Sequence, residues 1–368
     1  MIGYTIAGQV NRKGHDLSRL RIENVEQEFF HVKHIGSLFA VRTAEELYSC
    51  GSGIILRFMA DTEITAAVVG TGHLGRHHVR ILAGMEGVRC IGAYDTDRAR
   101  LAEISAEHGV PALESVEAAG AADAVVVATP TVSHREVAGA LLKDGCHVLV
   151  EKPITATVAE AEELIGLADK ASRVLAVGHV EYHNPAVQAA LGLADGVRYL
   201  ESQRLSPFTA RSVDVDVILD LMIHDLQITL AVAGEAPSEI RAVGVPVLTD
   251  KVDLCHAWVE FPGGLVANLT ASRVSAERIR KLRLFGRESY FSIDYAEQSV
   301  SSAQLIQSPS GIEIAPRLVE VEKDEPLKAE LEAFIGACRG EKNPIVSGRT
   351  GAAALAAAIT VRECVESR

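Results

Sequence analysis

Lys152, Asp220 and His224 combine the residue types and spacing that proton transfer at a buried site requires. Lys152 stands just beyond the apolar run 147–150, at what would be the carboxyl edge of a strand. Asp220 and His224 are four residues apart, which places them on one face of a helix. Because their neighbours are apolar, these ionisable groups must be paired or must act chemically. A histidine suits the role of base, since its ordinary pKa is about 6.5.

Each of these residues also has a less specific explanation. A lone lysine is usually a solvated surface charge, and a helical histidine near an aspartate is more often structural than catalytic. The apolar strand before Lys152 and the proline after it favour a buried functional position. A strand's carboxyl edge is where doubly wound sheets bind ligands.

A glycine-rich motif lies upstream, between the apolar run 64–69 and a helical stretch: Gly70, Thr71, Gly72, His73, Leu74 and Gly75. In a GxGxxG motif the first glycine permits a tight turn, the second lets backbone approach a pyrophosphate, and the third allows close packing of helix on strand. The helix N-terminus offers N–H groups to the anion. The motif therefore predicts a dinucleotide site.

Asp95, twenty residues beyond the motif, determines which dinucleotide is expected. A carboxylate at the end of the second strand accepts hydrogen bonds from a ribose 2′-OH and repels a 2′-phosphate, so NAD is favoured over NADP. Asp95 could instead only cap the next turn, as Asp97 could. Arg98 and Arg100 leave NADP open.

The elements that carry these residues change character along the chain. From Ile64 to Val177 short strands alternate with helices, which predicts βαβ units in a parallel sheet. After Pro185 a long helix, about 216–233, precedes several strands without helices between them, and two helices close the chain. This predicts an α+β domain with a mostly antiparallel open sheet. The division predicted is an extension of unknown role at 1–58, a Rossmann domain at 59–182 and an α+β domain at 183–368.

Composition excludes several classes of function. The 368 residues carry a formal net charge of −13, which argues against the broad basic face that nucleic acid or anionic lipid requires. No apolar run is long enough to span a membrane, and no secretory leader is visible. The six cysteines lie far apart without metal-ligand spacing, so we expect reduced thiols in a cytoplasm and no metal.

The motifs GTGHLG, EKP, GHxxxxNP and DxxxH follow one another in this order. In these the chain resembles the Gfo/Idh/MocA family of sugar and cyclitol dehydrogenases, over about residues 62 to 368. Within it, the chain is similar to the bacterial UDP-N-acetylglucosamine 3-dehydrogenases in the segments GHLGRHHVRIL, RLSPFTARSVDVDVILDLMIHD, VGVPVL and ANLTASRVS.

The resemblance implies a role for each motif. Lys152 would hold the reacting hydroxyl beside the nicotinamide, His224 would be the acid/base, and Asp220 would orient both. The NAD-binding residues would be Gly70, Thr71, Gly72, His73, Leu74, Gly75, Asp95, Thr129, Pro130, His134, Glu151, Lys152 and His179. The substrate-binding residues would be Lys152, Glu181, Asn184, Arg204, Arg211, Asp220 and His224.

Cations are needed if the substrate is a UDP-sugar with a pyrophosphate. Arg204 and Arg211, just before the predicted site helix, are the candidates, because guanidinium groups grip phosphate oxygens bidentately. A second basic cluster lies at 273–283. Salt bridges at a subunit interface or a solvated face explain it at least as well as phosphate binding does, so its role stays open.

The leading interpretation is NAD-dependent oxidation of the 3-hydroxyl of UDP-N-acetylglucosamine by a homo-oligomer, dimer or tetramer. The ketone would pass to a PLP-dependent aminotransferase of lipid A biosynthesis. The alternatives are a dehydrogenase of another sugar, inositol or a UDP-sugar acid, and a non-catalytic dinucleotide-binding regulatory protein. Retention of Lys152, Asp220 and His224 together argues against the last.

Overall fold

The computed structural model describes residues 63–367 except 210–214, 288 and 309–310, together with three short strands nearer the N-terminus. Those strands, β1 (Arg21–Ile22), β2 (Leu47–Ser49) and β3 (Ile54–Leu56), form an antiparallel sheet in the order β1-β3-β2. Met1–Glu63 and Ile64–Arg368 are separate compact units. All three lie inside the extension of unknown role predicted at 1–58.

The larger unit begins with the predicted parallel sheet. Its five strands lie in the order β5-β4-β6-β7-β8 and are all parallel: β4 (Ile64–Val69), β5 (Val88–Tyr94), β6 (Ala124–Val127), β7 (His147–Glu151) and β8 (Leu175–Gly178). The helices between them are Gly75–Gly84, Arg98–His108, Val116–Ala119, His134–Lys143 and Val158–Ala171. Because the chain leaves β4 toward β5 on one side and later adds β6 on the other, a ligand crevice opens at the carboxyl end of β4.

Local sequence explains these elements. Strand β6 is buried along its whole length, as expected for a central strand covered on both faces. Thr157 and Glu160 form a capping box at the start of Val158–Ala171. Asp97 caps Arg98–His108, whose C-cap Gly109 has a φ of 66°, a left-handed conformation that glycine adopts readily.

A second, eight-stranded sheet follows in the order β10-β11-β12-β9-β13-β14-β15-β16. All neighbours are antiparallel except β9 and β12. The strands are β9 (Val197–Leu205), β10 (Glu239–Val245), β11 (Leu254–Glu260), β12 (Val266–Ser272), β13 (Ile279–Gly286), β14 (Ser289–Asp294), β15 (Ser299–Ser308) and β16 (Gly311–Val319). The mixed α/β class with a mostly antiparallel second sheet is confirmed.

Helices cover one face of this sheet and connect it to the first. A 3-10 turn (Val180–His183) and the helix Pro185–Leu191 precede β9. The segment Ile218–Ala233, here called the site helix, begins with a π-helical turn at Ile218–Met222 and continues as α-helix. The sequence predicted it as one uninterrupted helix.

The last two helices reach back to the first sheet. Pro326–Cys338 contributes Leu331 and Phe334 to the core beneath the helix Gly75–Gly84. Gly348–Glu366 places Leu355 in a core of the parallel sheet and Ala358 in the core of the second sheet. None of the helices among the described residues has the length and apolarity needed to cross a membrane.

Candidate active site

The glycine motif forms a cradle at the carboxyl end of β4. Gly70 has a φ of +97°, and a Cβ there would lie 2.5 Å from the Ala128 carbonyl oxygen. A Cβ on Gly75 would lie 1.8 Å from the Gly70 carbonyl oxygen, so this position must be glycine. A Cβ on Gly72 would meet nothing within 4 Å. The space above Gly72 therefore fits a pyrophosphate, with the start of the helix Gly75–Gly84 behind it.

Asp95 is hydrogen-bonded to the glycine loop. Its Oδ2 accepts hydrogen bonds from the Thr71 amide (2.7 Å) and hydroxyl (2.9 Å), and its Oδ1 accepts from the Asp97 amide (2.8 Å) and the Arg100 guanidinium (3.0 Å). Burial opposes its charge, but hydrogen bonds from Arg100, Thr71 and Asp97 outweigh that effect and lower the pKa of Asp95 to about 2. The carboxylate is thus ionised, and it both supports the glycine loop and caps the next turn.

Thr129, Pro130 and His134 lie where the chain leaves β6. Thr129 is half-buried and Pro130 exposed at the loop. The His134 ring is buried, with Nε2 2.8 Å from the Thr129 carbonyl oxygen and Nδ1 2.9 Å from the Pro153 carbonyl oxygen. The ring therefore lies between the carbonyl oxygens of two loops, and the expected cofactor contact of His134 stays a prediction.

Glu151 also has a supporting position. Its carboxylate is 2.8 Å from His78 Nε2 and accepts a hydrogen bond from the Lys152 amide (3.2 Å). It packs against Gly178, where a Cβ would come within 2.9 Å of the carboxylate. Because the side chain is buried and held from two sides, it fixes the backbone that carries Lys152, and the expected cofactor contact of Glu151 stays a prediction.

Lys152 and Asp220 meet at the front of the crevice. Lys152 Nζ donates to Asp220 Oδ1 at 3.0 Å and to the Asp220 carbonyl oxygen at 2.7 Å. The side chain of Lys152 is 14% exposed and that of Asp220 31%, so a substrate can reach the pair. The two come from the two sheet regions of the chain.

The π-helical turn presents Asp220 to the lysine. Asp216 Oδ1 accepts from the amides of Ile218 (3.0 Å) and Leu219 (2.8 Å), which fixes the start of the turn. Asp220 lies within the turn, whereas His224 lies in the regular α-helix beyond it. The two residues do not hydrogen-bond to each other among the contacts of the described residues, although the spacing of four predicted a pair. Asp220 binds Lys152 instead.

His224 faces a second histidine. The rings of His224 and His179 are edge to face, with centroids 5.5 Å apart, and both side chains are buried. Burial, reinforced by the charges of Lys152 and Arg204, lowers the pKa of His224 well below its ordinary value. Burial and Lys152 likewise lower the pKa of His179 to about 3, and burial lowers that of His183 to about 4. These imidazoles are neutral near pH 7, so His224 can accept a proton.

Arg204 does not offer its guanidinium to a phosphate. It is 3% exposed, binds Asp225 through Nε (2.8 Å) and Nη2 (3.0 Å), and binds Glu181 through Nη1 (2.6 Å). Its guanidinium also stacks on Tyr295 at 5.0 Å. The charges of Arg204 and Glu181 thus offset each other beneath the site, which argues against the phosphate contact expected of Arg204 and the substrate contact expected of Glu181; both stay predictions. The expected partner Arg211 lies outside the described residues.

Asn184 likewise serves the fold. Its Oδ1 caps the helix Pro185–Leu191 by accepting from the Ala186 amide (3.1 Å), and its Nδ2 donates to the Tyr295 carbonyl oxygen (3.0 Å). It is 2% exposed, and the substrate contact expected of it stays a prediction. Sequence reasoning did not assign His78, His183 or Asp225. Asp225 directly follows His224, and that adjacency was the available signal.

The parallel sheet, the open glycine cradle and a lysine beside a neutral histidine define a Rossmann-type oxidoreductase. Residues 64–179 match the family described as "Oxidoreductase family, NAD-binding Rossmann fold", and residues 195–292 match the Gfo/Idh/MocA C-terminal domain. The chain belongs to the Gfo/Idh/MocA family and is an NAD-dependent dehydrogenase, as its motifs predicted.

Two relatives cover most of the chain. The UDP-N-acetylglucosamine 3-dehydrogenase of Acidithiobacillus ferrooxidans is 40% identical over 306 residues, 82% of this chain and 96% of that protein. The inositol 2-dehydrogenase of Rhizobium meliloti is 26% identical over 331 residues, 82% of this chain and 97% of that protein.

Solved structures agree with the fold. GnnA, the Acidithiobacillus ferrooxidans enzyme, superposes with a TM-score of 0.77 at 40% identity and covers 83% of this chain and 98% of its own. The scyllo-inositol dehydrogenase of Lactobacillus casei, solved with NAD(H) and scyllo-inositol, gives a TM-score of 0.69 at 19% identity, covering 83% and 97%. At that identity the likeness concerns the fold alone.

Proposed function

We propose that the chain oxidises the 3-hydroxyl of UDP-N-acetylglucosamine to a 3-keto sugar nucleotide. The observation that carries this proposal is the pairing of Lys152 with Asp220 beside a neutral His224, in a chain 40% identical to an enzyme named for that reaction. Residues 59–182 would bind NAD and residues 183–368 the sugar nucleotide, with the segment 1–58 outside the catalytic part.

Lys152 and His224 would have different roles: the first stabilises developing negative charge, and the second accepts a proton. Lys152, held by Asp220, would donate a hydrogen bond to the reacting hydroxyl and stabilise alkoxide character as it develops. His224 would accept the hydroxyl proton, because its lowered pKa keeps the imidazole neutral. NAD, when bound, accepts the hydride from the substrate carbon at nicotinamide C4. His179 would support the His224 ring through their edge-to-face contact.

The cofactor would lie along the carboxyl edge of the parallel sheet. Gly70, Thr71, Gly72 and Gly75 would hold the pyrophosphate, with His73 and Leu74 exposed at the start of the helix beside it. Asp95 would accept from the ribose, and Thr129 and Pro130 would border the path to the nicotinamide. Lys152 would contact both cofactor and substrate.

Replacing the lysine tests the assignment. In Lys152→Ala we expect turnover of UDP-N-acetylglucosamine with NAD to fall by about 10²- to 10⁴-fold, because alkoxide stabilisation is lost. The dissociation constant for NAD should change little. NADH absorbance, with glutamate and a coupled aminotransferase to remove the ketone, measures the turnover.

A matched control is Lys143→Ala, which removes an exposed lysine of the same domain. It should behave as wild type. A panel that includes free sugars, inositols and UDP-sugar acids compares the alternatives. Turnover by Lys152→Ala equal to wild type contradicts the site, and a preference for inositol contradicts the substrate.

The wider setting follows from this reaction. A 3-keto sugar nucleotide is a substrate for a PLP-dependent aminotransferase, so we propose that one consumes the product in a cytoplasmic lipid A pathway.

We also propose a homo-oligomer, dimer or tetramer, formed through the face of the second sheet that the described helices leave uncovered. On that face the rings of Tyr199, Trp258, Phe285 and Tyr290 touch in a row. An exposed aromatic patch of this kind favours contact with a second copy of the chain.

A further inference from the structure

Two arginines stand directly opposite each other beneath the site. Arg280 on β13 pairs in register with Arg204 on β9. Side chains alternate along a strand, so Arg280 shares the face of Leu282 and Leu284, which are buried under the helical layer. Like charges opposite each other across two strands destabilise a sheet. The pair therefore requires compensation by anions.

The protein's own carboxylates bind one of the two arginines more closely than the other. Asp225 and Glu181 bind Arg204 at 2.6–3.0 Å. Arg280 has a contact with the same Glu181 oxygen at a longer 3.4 Å, and its side chain is 40% exposed. Glu181 thus anchors Arg280 on the site face while leaving part of its side chain open to solvent.

Arg280 is near the reacting groups. Burial, followed by the charges of Lys152, Arg204, His179 and Arg280, lowers the pKa of His224. Burial also lowers the pKa of Arg280 itself, with neighbouring Arg204 and Arg278 acting in the same direction. A substrate anion placed here would relieve this repulsion and receive a planar, bidentate donor.

We infer that Arg280 binds the pyrophosphate of the sugar nucleotide and takes the place that Arg204 cannot fill. This rests on the proposed function, since a free sugar or inositol carries no such anion. The residue is a specificity determinant: it distinguishes nucleotide sugars from neutral polyols that the same lysine and histidine could oxidise.

The test compares Arg280→Gln with Arg283→Gln. Arg283 lies three residues along the same strand on the opposite face, where it binds Glu201 at 2.8 Å. With UDP as the probe, calorimetry should give a dissociation constant about 10- to 100-fold higher for Arg280→Gln, the loss expected for a charge-assisted contact. The KM for UDP-N-acetylglucosamine should rise similarly, while kcat and NAD affinity change little. Arg280→Lys should recover part of the loss, and Arg283→Gln should match wild type.

The outcomes separate this inference from the proposed function. If wild type oxidises UDP-N-acetylglucosamine and Arg280→Gln keeps its KM and UDP affinity, the inference is wrong and the function stands. If wild type binds UDP through Arg280 without oxidising the sugar nucleotide, the inference stands and the function is wrong. Absence of both UDP binding and turnover in wild type overturns both. If Arg283→Gln lost as much UDP affinity as Arg280→Gln, the inference about Arg280 would also be wrong, because the loss would then not be specific to the face of the sheet that carries the site.

Discussion

At the scale of single residues, the histidine and the lysine act on each other through charge. His224 is buried and lies near Lys152, so its positively charged form is disfavoured twice. The same ammonium that stabilises an alkoxide therefore keeps the neighbouring base free of protons. Asp220 offsets the lysine charge only in part, because its side chain is partly solvated.

This coupling predicts a pH profile. A lowered pKa means that His224 stays deprotonated as the pH falls through 6.5, its ordinary value. We expect kcat/KM for alcohol oxidation to be flat through that pH and to fall only at lower pH. In His224→Asn the acid limb should disappear and the rate should drop about 10²- to 10⁴-fold. Initial rates over a buffer series measure this, and an acid midpoint at or above 6.5 would contradict the assignment.

Residue types and motif order were sufficient to find Lys152, Asp220, His224 and the glycines. The buried partners were not predictable in the same way. Arg204 and Glu181 are charged residues in a polar stretch, which suggests solvent or substrate. Only the side-chain contacts show that carboxylates enclose Arg204, whereas Arg280, opposite it in the register of β9 and β13, is half-buried.

At the scale of elements, the glycine loop separates folding from binding. Gly75 must be glycine because a Cβ would strike the Gly70 carbonyl oxygen, whereas the position above Gly72 is open in the protein alone. One motif thus contains one glycine required for packing and another that leaves room for a ligand.

Two alanine substitutions should separate these roles. Gly72→Ala should keep the wild-type melting temperature within about 2 °C, because its Cβ meets nothing, yet weaken NAD binding at least 10-fold. Gly75→Ala should lower the melting temperature strongly, since the clash is with backbone. Differential scanning fluorimetry with and without NAD distinguishes the two. Equal destabilisation by both would contradict this division.

The elements that sequence analysis missed are those with weak apolar patterns. Strand β9 has Ser202 and Arg204 on its covered face, so its buried positions do not read as apolar. Strand β15 is rich in serine, and the described side chains of both β15 and β16 are mostly exposed, so both strands resemble loops in the sequence. The strands of the parallel sheet, which alternate with helices along the chain, were predictable because almost all of their buried positions are apolar.

At the scale of the whole molecule, one face of the second sheet is not covered by any helix of the described residues. Leu305 and Ile314 pair across β15 and β16 and extend its aromatic row, with 45% and 74% of their surfaces exposed. An apolar face of this extent favours burial against a second copy.

The prediction at this scale concerns assembly. Ile314→Lys should shift the protein toward monomer, because it places a charge in the proposed interface at little cost to an exposed position. Ile306→Lys is the matched control, since Ile306 is an exposed residue on the other face of the same hairpin. Light scattering measures the mass of each variant. Unchanged mass in Ile314→Lys, or an equal shift in both, would contradict the proposed interface.

The π-helical turn at Ile218–Met222 has a consequence for how this scaffold tolerates insertions and deletions. A turn of this kind holds one residue more than a regular one, and each residue turns the chain by about 100° around the axis. Deleting a residue there would leave the helix intact and its core positions filled, but would swing the carboxylate away from the ammonium. Activity therefore depends on the number of residues in this turn as much as on their identity. We expect a variant that lacks one of them to fold but to be inactive.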